Sequence, residues 1–140
     1  MHGHDAKVKE AVARFVKLMD LEPIILHEQS NKGETIIGKF EKHLNEVGYA
    51  IILYTPCDIG GKDANNLTPR PRQNVVFEHG YCVAKLGRAN VCVLFDESVN
   101  KPSDIDGVLY IPLKDDAWRI LLAKEMTAVG YDIDFNKLFK

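Results

Sequence analysis

Two unbroken apolar runs of strand length constrain the fold of this chain more than any other feature. Residues 49–55 and Val91–Phe95 contain no charged side chain, and a third run of this kind occupies residues 108–113. Strands in which polar and apolar residues do not alternate are typical of parallel sheets that are covered on both faces. The sequence therefore predicts a buried parallel sheet with helices on either side.

The segments between these runs have the periodicity of amphipathic helices. Apolar residues recur at helical spacing in four of them, residues 6–21, 35–47, 73–86 and 117–129. Gly48, Gly87 and Gly130 lie at the ends of three of these helices, where glycine is a common cap. Alternating strands and helices predict an α/β fold, a flavodoxin-like parallel sheet with helices on both faces.

Three further segments complete this prediction. Residues 23–26 form a short, wholly apolar run that predicts another strand. Residues 56–72 form a long loop, and long loops in compact domains are usually functional or mobile. Because the chain begins close to the first predicted helix, we expect the strand before that helix to be truncated or a stub. We expect one domain over residues 1–140.

The composition argues against several classes of protein. A chain of 140 residues with 46% hydrophobic and 27% charged residues is typical of one globular domain. Its net charge of −2 gives no basic field for DNA or RNA. Its three cysteines form no CxxC pair, which argues against a disulfide framework or a zinc site. Without an apolar run of about 20 residues or a leader pattern, we expect a cytoplasmic protein that does not bind membranes.

Residues 70–81 are the most informative stretch for chemistry. Ligands of doubly wound sheets bind beyond the carboxyl ends of the strands, and no dinucleotide fingerprint or P-loop is present. Arg70 and Arg72 precede a predicted helix, and Glu78 interrupts an apolar run within it, on a face shared with Asn74 and Tyr81. A carboxylate on such a face is costly unless it is hydrogen-bonded, so it usually has a function. Two alternatives stay open: Glu78 is a surface residue, or it pairs with one of the arginines.

Several separated motifs resemble one family. They are HGHD at residues 2–5, LHEQ at 26–29, KGETII at 32–37, RPRQNVVFEHGY at 70–81 and SDIDGV at 103–108. In this order they look like the bacterial TIR-like (Toll/interleukin receptor-like) nucleotide-binding domain family. Members of that family serve as effectors in antiphage systems that a cyclic nucleotide triggers. The resemblance covers nearly the whole chain.

The resemblance implies a five-stranded flavodoxin-like sheet and NAD⁺ glycohydrolase activity, with a catalytic glutamate that corresponds to Glu78. NAD⁺ is then a substrate, and no cofactor is implied. The loop between the second strand and second helix resembles the one that mediates self-association in TIR domains, although an ordinary polar loop is the alternative. Its candidate residues are His27, Glu28, Gln29, Asn31, Lys32 and Gly33. A fused or separate cyclic-nucleotide sensor domain is a further expected partner.

Other residues are candidates for substrate binding. They are His4, Asp5, Asp58, Arg70, Arg72, Asn74 and Tyr81. The arginines would hold the pyrophosphate, with solvated charges as the alternative. Tyr81, like Tyr54, could stack on a base, although the apolar surroundings of both favour positions in the core. The start of the chain also resembles a set of metal ligands or a tag remnant, but it lacks a fourth ligand for zinc.

The chemistry of NAD⁺ cleavage suits a single carboxylate. Nicotinamide leaves as a neutral molecule, so no general acid is needed, and the barrier lies in an oxocarbenium-like ribose that one carboxylate can stabilise. This reaction requires no metal. Two alternatives stay open: a non-catalytic TIR module for nucleotide binding or assembly, and an enzyme that resembles nucleoside deoxyribosyltransferases.

Overall fold

A computed structural model describes residues 6–26, 36–56, 58–60, 64–65, 67–71, 73–99 and 109–139. Its helices are α1 (Ala6–Leu18), α2 (Ile36–Leu44), α3 (Gln73–Leu86) and α4 (Ala117–Ala128). Its strands are β1 (Ala50–Tyr54), β2 (Asp58–Gly60), β3 (Thr68–Arg70), β4 (Val91–Phe95) and β5 (Leu109–Pro112). Short 3-10 turns occupy Arg88–Asn90 and Phe135–Phe139. None of the helices in these ranges is long and apolar enough to cross a membrane.

Three strands form a parallel sheet in the order β1-β4-β5. Ala50 is paired with Val91 at the start of the β1–β4 ladder, and Tyr54 with Phe95 at its end. β5 runs parallel along the other edge of β4. The three strands therefore end at one edge of the sheet, which is the edge where ligands of doubly wound folds bind.

Helices cover both faces of this sheet, as the apolar strands predict. Leu53 packs with α1 and α4 in a core that includes Phe15 and Trp118, whose rings meet edge-on at 5.2 Å. Ile52 and Tyr54 pack with α2 and α3 in a second core. Because successive side chains of β1 enter opposite cores, the strand has no solvent-facing side that a polar residue could occupy.

The predicted helices are confirmed in type and position, with somewhat shorter ends. α3 has the predicted bounds, and α1 ends at Leu18 rather than at residue 21. Gly87 and Gly130 have φ angles of 88° and 107°, a conformation that only glycine adopts without strain. The α/β fold class is confirmed.

The strand predicted at residues 23–26 is wrong. Residues 21–25 have no regular secondary structure, and no ladder in the described part of the chain joins them to the sheet. Pro23 lacks the N–H group that a ladder needs, and Ile24 is exposed. The described ranges therefore contain three parallel strands instead of the five that the resemblance implies. The expected stub at residues 1–5 lies outside them.

The helix cap predicted at Gly48 is also wrong. α2 ends at Leu44, and Gly48 is not among the glycines with a positive φ. A Cβ atom at position 48 would instead lie 2.9 Å from the hydroxyl oxygen of Tyr131. A side chain at position 48 would therefore displace the Tyr131 hydroxyl, so the constraint at this glycine is space and not backbone conformation.

The long loop after β1 contains regular structure that was not predicted. β2 and β3 pair as a short antiparallel hairpin within it. Pro69 lies inside β3, and prolines normally indicate that a segment is not a strand or lies at an edge. The hairpin ends shortly before Gln73, so it leads the chain directly into α3.

Candidate active site on the third helix

Glu78 lies in the buried stripe of α3. Helical spacing brings it to one side of the helix together with Val75, His79 and Cys82, and all four are buried. Glu78 is only 6% exposed, and its Oε2 atom is inaccessible to solvent. The alternative that Glu78 is a surface residue is therefore excluded. Burying a carboxylate opposes folding unless other groups compensate its charge, so this position makes Glu78 the leading candidate for a functional residue.

The charge of Glu78 acts on the thiol one turn along the helix. Burial raises the pKa of Cys82 to about 11, and the Glu78 carboxylate contributes to the rise. Burial likewise raises the pKa of Cys92, in β4, to about 12. Both thiols are protonated at neutral pH, so neither supplies a thiolate nucleophile.

His79, next to Glu78, connects α3 to the end of β1. It is fully buried, and its Nδ1 atom lies 2.6 Å from the hydroxyl oxygen of Tyr54. Burial lowers the pKa of His79 and raises the pKa of Tyr54, so the imidazole is neutral and the phenol protonated at neutral pH. The contact places this turn of α3, and Glu78 with it, beside the carboxyl end of the first strand.

Aromatic rings surround the His79 imidazole. The ring centroids of Tyr54 and Tyr110 lie 5.5 Å and 6.1 Å from that of His79, both in edge-on geometry. Phe95, at the end of β4, packs on Tyr110 at 6.1 Å. These four residues form an aromatic cluster that joins all three parallel strands to α3, and edge-on packing favours one orientation of each ring.

Two predicted binding residues flank Glu78 on the same helix. Asn74, one turn earlier, is exposed. Tyr81 is half-buried and packs edge-on against Phe40 of α2 at 5.1 Å. Burial raises the pKa of Tyr81, and the charge and hydrogen bond of Glu41 raise it further. Tyr81 therefore packs on α2, in agreement with the core position that its apolar surroundings favour. The roles of Tyr81 and Asn74 in substrate binding stay predictions.

The hairpin brings two other predicted residues opposite each other. Asp58 and Arg70 are partners in the β2–β3 register. Arg70 is thus a strand residue shortly before α3. The remaining candidates lie outside the described residues, and their roles stay predictions: His4, Asp5, Arg72, His27, Glu28, Gln29, Asn31, Lys32 and Gly33.

His79 and Thr55 also lie at this edge of the sheet and were not predicted from the sequence. Thr55 follows β1 directly and is 3% exposed, and its Oγ1 atom is buried without a hydrogen bond to any described residue. This hydroxyl lies beneath the surface at the edge of the sheet where the strands end. His79 could have been found from its helical spacing to Val75 and Cys82, whereas Thr55 carries no signal beyond its place after a strand.

A cavity of 360 Å³ lies away from this site. It is enclosed by α1, α2, residues 21–26 and β1, and its lining includes Val12, Leu26, Phe40, Leu44 and Ile51. Glu78 and His79 are not part of that lining. The lining is mostly apolar but also includes Lys9, Glu22, His43 and Glu46. The cavity borders the start of β1, whereas ligands of doubly wound sheets bind beyond the carboxyl ends of the strands, so α3 and the strand ends form the better candidate.

Comparison with known proteins decides the family. The sequence model for the TIR domain of the CAP12/Pycsar effector protein matches residues 1–115. The chain belongs to this family. The parallel sheet with helices on both faces agrees with a TIR-like fold, and the resemblance of the separated motifs is confirmed.

Three relatives match this TIR domain over different lengths. The uncharacterized protein YuaY of Escherichia coli K12 is 42% identical over 139 residues, which cover 98% of this chain and 46% of YuaY. Protein tirC of Dictyostelium discoideum is 37% identical over 127 residues, 83% of this chain and 63% of tirC. CD-NTase-associated protein 12 of Sphingobacterium faecium is 33% identical over 60 residues, 43% of this chain and 18% of that protein. The TIR domain thus spans less than two thirds of each relative.

Proposed function

We propose that this TIR domain is an NAD⁺ glycohydrolase. It cleaves the bond between nicotinamide and ribose and releases nicotinamide together with linear or cyclic ADP-ribose. The observation that carries the proposal is the burial of Glu78 on α3, one residue from the contact between His79 and the end of β1. Membership of an effector family supports it at a coarser level.

The proposed reaction moves a positive charge toward Glu78. When the C1′–N1 bond of NAD⁺ breaks, its electron pair goes to the pyridinium nitrogen, and the positive charge passes to C1′ and O4′ of the ribose. A carboxylate removed from water stabilises that cation strongly, because the effective dielectric constant around it is low. Water then adds to C1′ and loses a proton, unless an internal nucleophile of the ADP-ribose closes a ring.

The neighbours of Glu78 are compatible with this role. His79 is neutral at neutral pH because burial lowers its pKa, so it brings no positive charge to the carboxylate. The Cys82 thiol stays protonated because burial raises its pKa to about 11. Neither residue competes with Glu78 for the developing cation or for C1′.

We further infer the setting in which the domain acts. Its family is that of CAP12/Pycsar effectors, and one relative is a CD-NTase-associated protein. These names support a role in antiphage defence in association with a cyclic-nucleotide sensor, fused or separate. We propose in addition that the domain acts in the cytoplasm and that self-association completes it. NAD⁺ is its substrate, and nucleic acids and membranes are not its partners.

The first prediction concerns Glu78→Gln, which keeps the size of the side chain and removes its charge. Turnover should fall by on the order of 10²-fold or more, equivalent to about 3 kcal/mol, because the charge acts mainly in the transition state. The measurement is nicotinamide release from NAD⁺ at high protein concentration, with equal amounts of folded protein.

Glu10→Gln is the matched control, because Glu10 is an exposed glutamate on α1. It should retain wild-type turnover. Near wild-type turnover in Glu78→Gln would contradict the catalytic assignment. A wild-type domain that binds NAD⁺ without releasing nicotinamide would be a binding module, and base exchange between deoxynucleosides would indicate the deoxyribosyltransferase alternative.

A further inference from the structure

We propose that Tyr54 and His79 form a positioning pair for Glu78. Their hydrogen bond fixes the rotation of α3 on the sheet, and through it the direction of the carboxylate one residue earlier. The inference rests on the proposed role of Glu78 in NAD⁺ cleavage. Tyr54 on β1 and His79 on α3 would touch no substrate themselves, and would act only through Glu78.

The contact between Tyr54 and His79 is directional. Val75 and Cys82 also attach α3 to the second core, but the hydrophobic burial that they contribute has no preferred direction. A hydrogen bond of 2.6 Å between Tyr54 and His79 does depend on angle, and both residues are fully buried. Tyr110 holds the imidazole from a further side at 6.1 Å.

The pair has one favoured proton arrangement, in which Tyr54 donates to Nδ1 of His79 and the ring proton sits on Nε2. Nε2 makes no hydrogen bond to a described residue in either arrangement, but the opposite one would also leave the tyrosine proton without such a partner. The histidine therefore acts as an acceptor at one defined atom, which makes the contact specific to the residue type.

The position of the Glu78 carboxylate is sensitive to the rotation of α3. A side chain of a helix extends roughly 5–6 Å from the axis, so a rotation of α3 by about 20° moves the carboxylate by about 2 Å. A misplacement of about 1 Å at a catalytic group can reduce a rate on the order of 10²-fold. Adjacent helix positions rotate together, so restraining position 79 restrains position 78.

The test compares Tyr54→Phe, His79→Leu and His79→Asn with the wild-type domain. Tyr54→Phe and His79→Leu should each lower kcat for NAD⁺ by about tenfold or more, with KM within about twofold, at equal folded protein. His79→Asn should retain most of the activity, because its side-chain oxygen can accept a hydrogen bond near the position of Nδ1. The double variant Tyr54→Phe, His79→Leu should be no slower than His79→Leu alone, because both substitutions remove the same bond.

Tyr49→Phe is the matched control, because it removes a buried hydroxyl that belongs to the opposite core. It should leave kcat unchanged and should not lower Tm, because this hydroxyl makes no hydrogen bond to a described residue. If Tyr54→Phe lowers Tm and leaves kcat unchanged, the pair is merely structural and the inference is overturned. Tyr54→Phe is conservative enough to decide this even if His79→Leu does not fold.

A second readout separates this inference from the proposed function. The ¹³Cδ resonance of Glu78 can be followed by NMR as a function of pH in the wild type and in Tyr54→Phe. A changed shift and titration midpoint support positioning, and an unchanged curve overturns it. If the wild-type domain releases no nicotinamide, the proposed function fails, but this resonance still decides whether the pair orients Glu78.

Discussion

The burial of His79 lowers the stability of the domain. Its Nε2 atom is buried and makes no hydrogen bond within the described part of the chain. An unsatisfied buried donor costs about 1–3 kcal/mol, which a leucine of similar volume would avoid. Residues that reduce stability in this way are found where function needs them, and His79 adjoins the proposed catalytic residue.

A second prediction at this scale concerns Arg70 and Arg72. If a guanidinium holds the pyrophosphate through a charged hydrogen bond, its removal should weaken NAD⁺ binding by about 1.5–3 kcal/mol. Arg70→Ala and Arg72→Ala can be measured by calorimetric titration in the Glu78→Gln background, which prevents turnover during the titration.

Arg88→Ala serves as the control for these variants. Arg88 is exposed in the turn before β4, at the opposite end of the sheet from the proposed site, so affinity should not change. Unchanged affinity in both Arg70→Ala and Arg72→Ala would contradict the pyrophosphate clamp and assign the phosphates to backbone amides.

Part of the candidate site could be predicted from the sequence. Glu78 stands out because an acidic residue interrupts an apolar run, and its neighbour Cys82 follows from helical spacing. The partner of His79 could not be predicted, because Tyr54 lies 25 residues earlier and meets it only across the folded chain. Periodicity indicates the face that a residue occupies, but it does not identify a partner on another element.

The helices and strands that could be predicted are those with a signal in their own local sequence. α3 and β4 have the predicted bounds, because a helical period ending at Gly87 and an unbroken apolar run are both local signals. The β2–β3 hairpin has neither signal, since Pro69 lies within it. The space available to a side chain at position 48 is limited by Tyr131, a residue far along the chain, so the role of Gly48 could not be predicted from the sequence.

The third prediction tests this close approach. Gly48→Ala should lower the free energy of unfolding by about 1 kcal/mol or less, because its Cβ would lie 2.9 Å from the hydroxyl oxygen at the far end of the Tyr131 side chain, which must move aside. In a Tyr131→Phe background the loss should be clearly smaller. Urea denaturation of the four proteins in this cycle measures both values.

Gly80→Ala is the contrasting control within the same fold. Gly80 lies inside α3, and a Cβ there would meet nothing within 4 Å. Alanine should stabilise the helix by about 0.5–1 kcal/mol. An equal loss of stability in Gly48→Ala with and without the Tyr131 hydroxyl would contradict the steric explanation.

At the scale of the whole molecule, the TIR domain corresponds to only part of its relatives, 46% of YuaY and 63% of tirC. If self-association completes the active site, the competent fraction depends on protein concentration. On that proposal, activity depends on contacts between copies as well as on Glu78.

The fourth prediction follows from this dependence. Specific activity should rise with protein concentration, or when copies are tethered, because tethering raises the effective concentration. Replacing Gly33 with tryptophan should prevent the rise while the circular dichroism spectrum and Tm stay those of a folded domain. A specific activity that is high and constant from nanomolar to high micromolar protein would contradict the assembly requirement and leave Glu78 unaffected.

The rates at which the two buried thiols react with a reagent report how often different parts of the domain open. Cys82 lies one turn after Glu78, and Cys92 lies in β4, the central strand of the sheet; both are fully buried. Lifting α3 from the sheet breaks fewer contacts than extracting a strand that is paired on both sides, so we expect a thiol reagent to modify Cys82 faster than Cys92 in a Cys57→Ser background. Peptide mass spectrometry over time separates the two rates. Equal modification rates would mean that the domain opens as one unit. A higher rate at Cys82 would measure how often α3, the helix that carries Glu78, separates from the sheet.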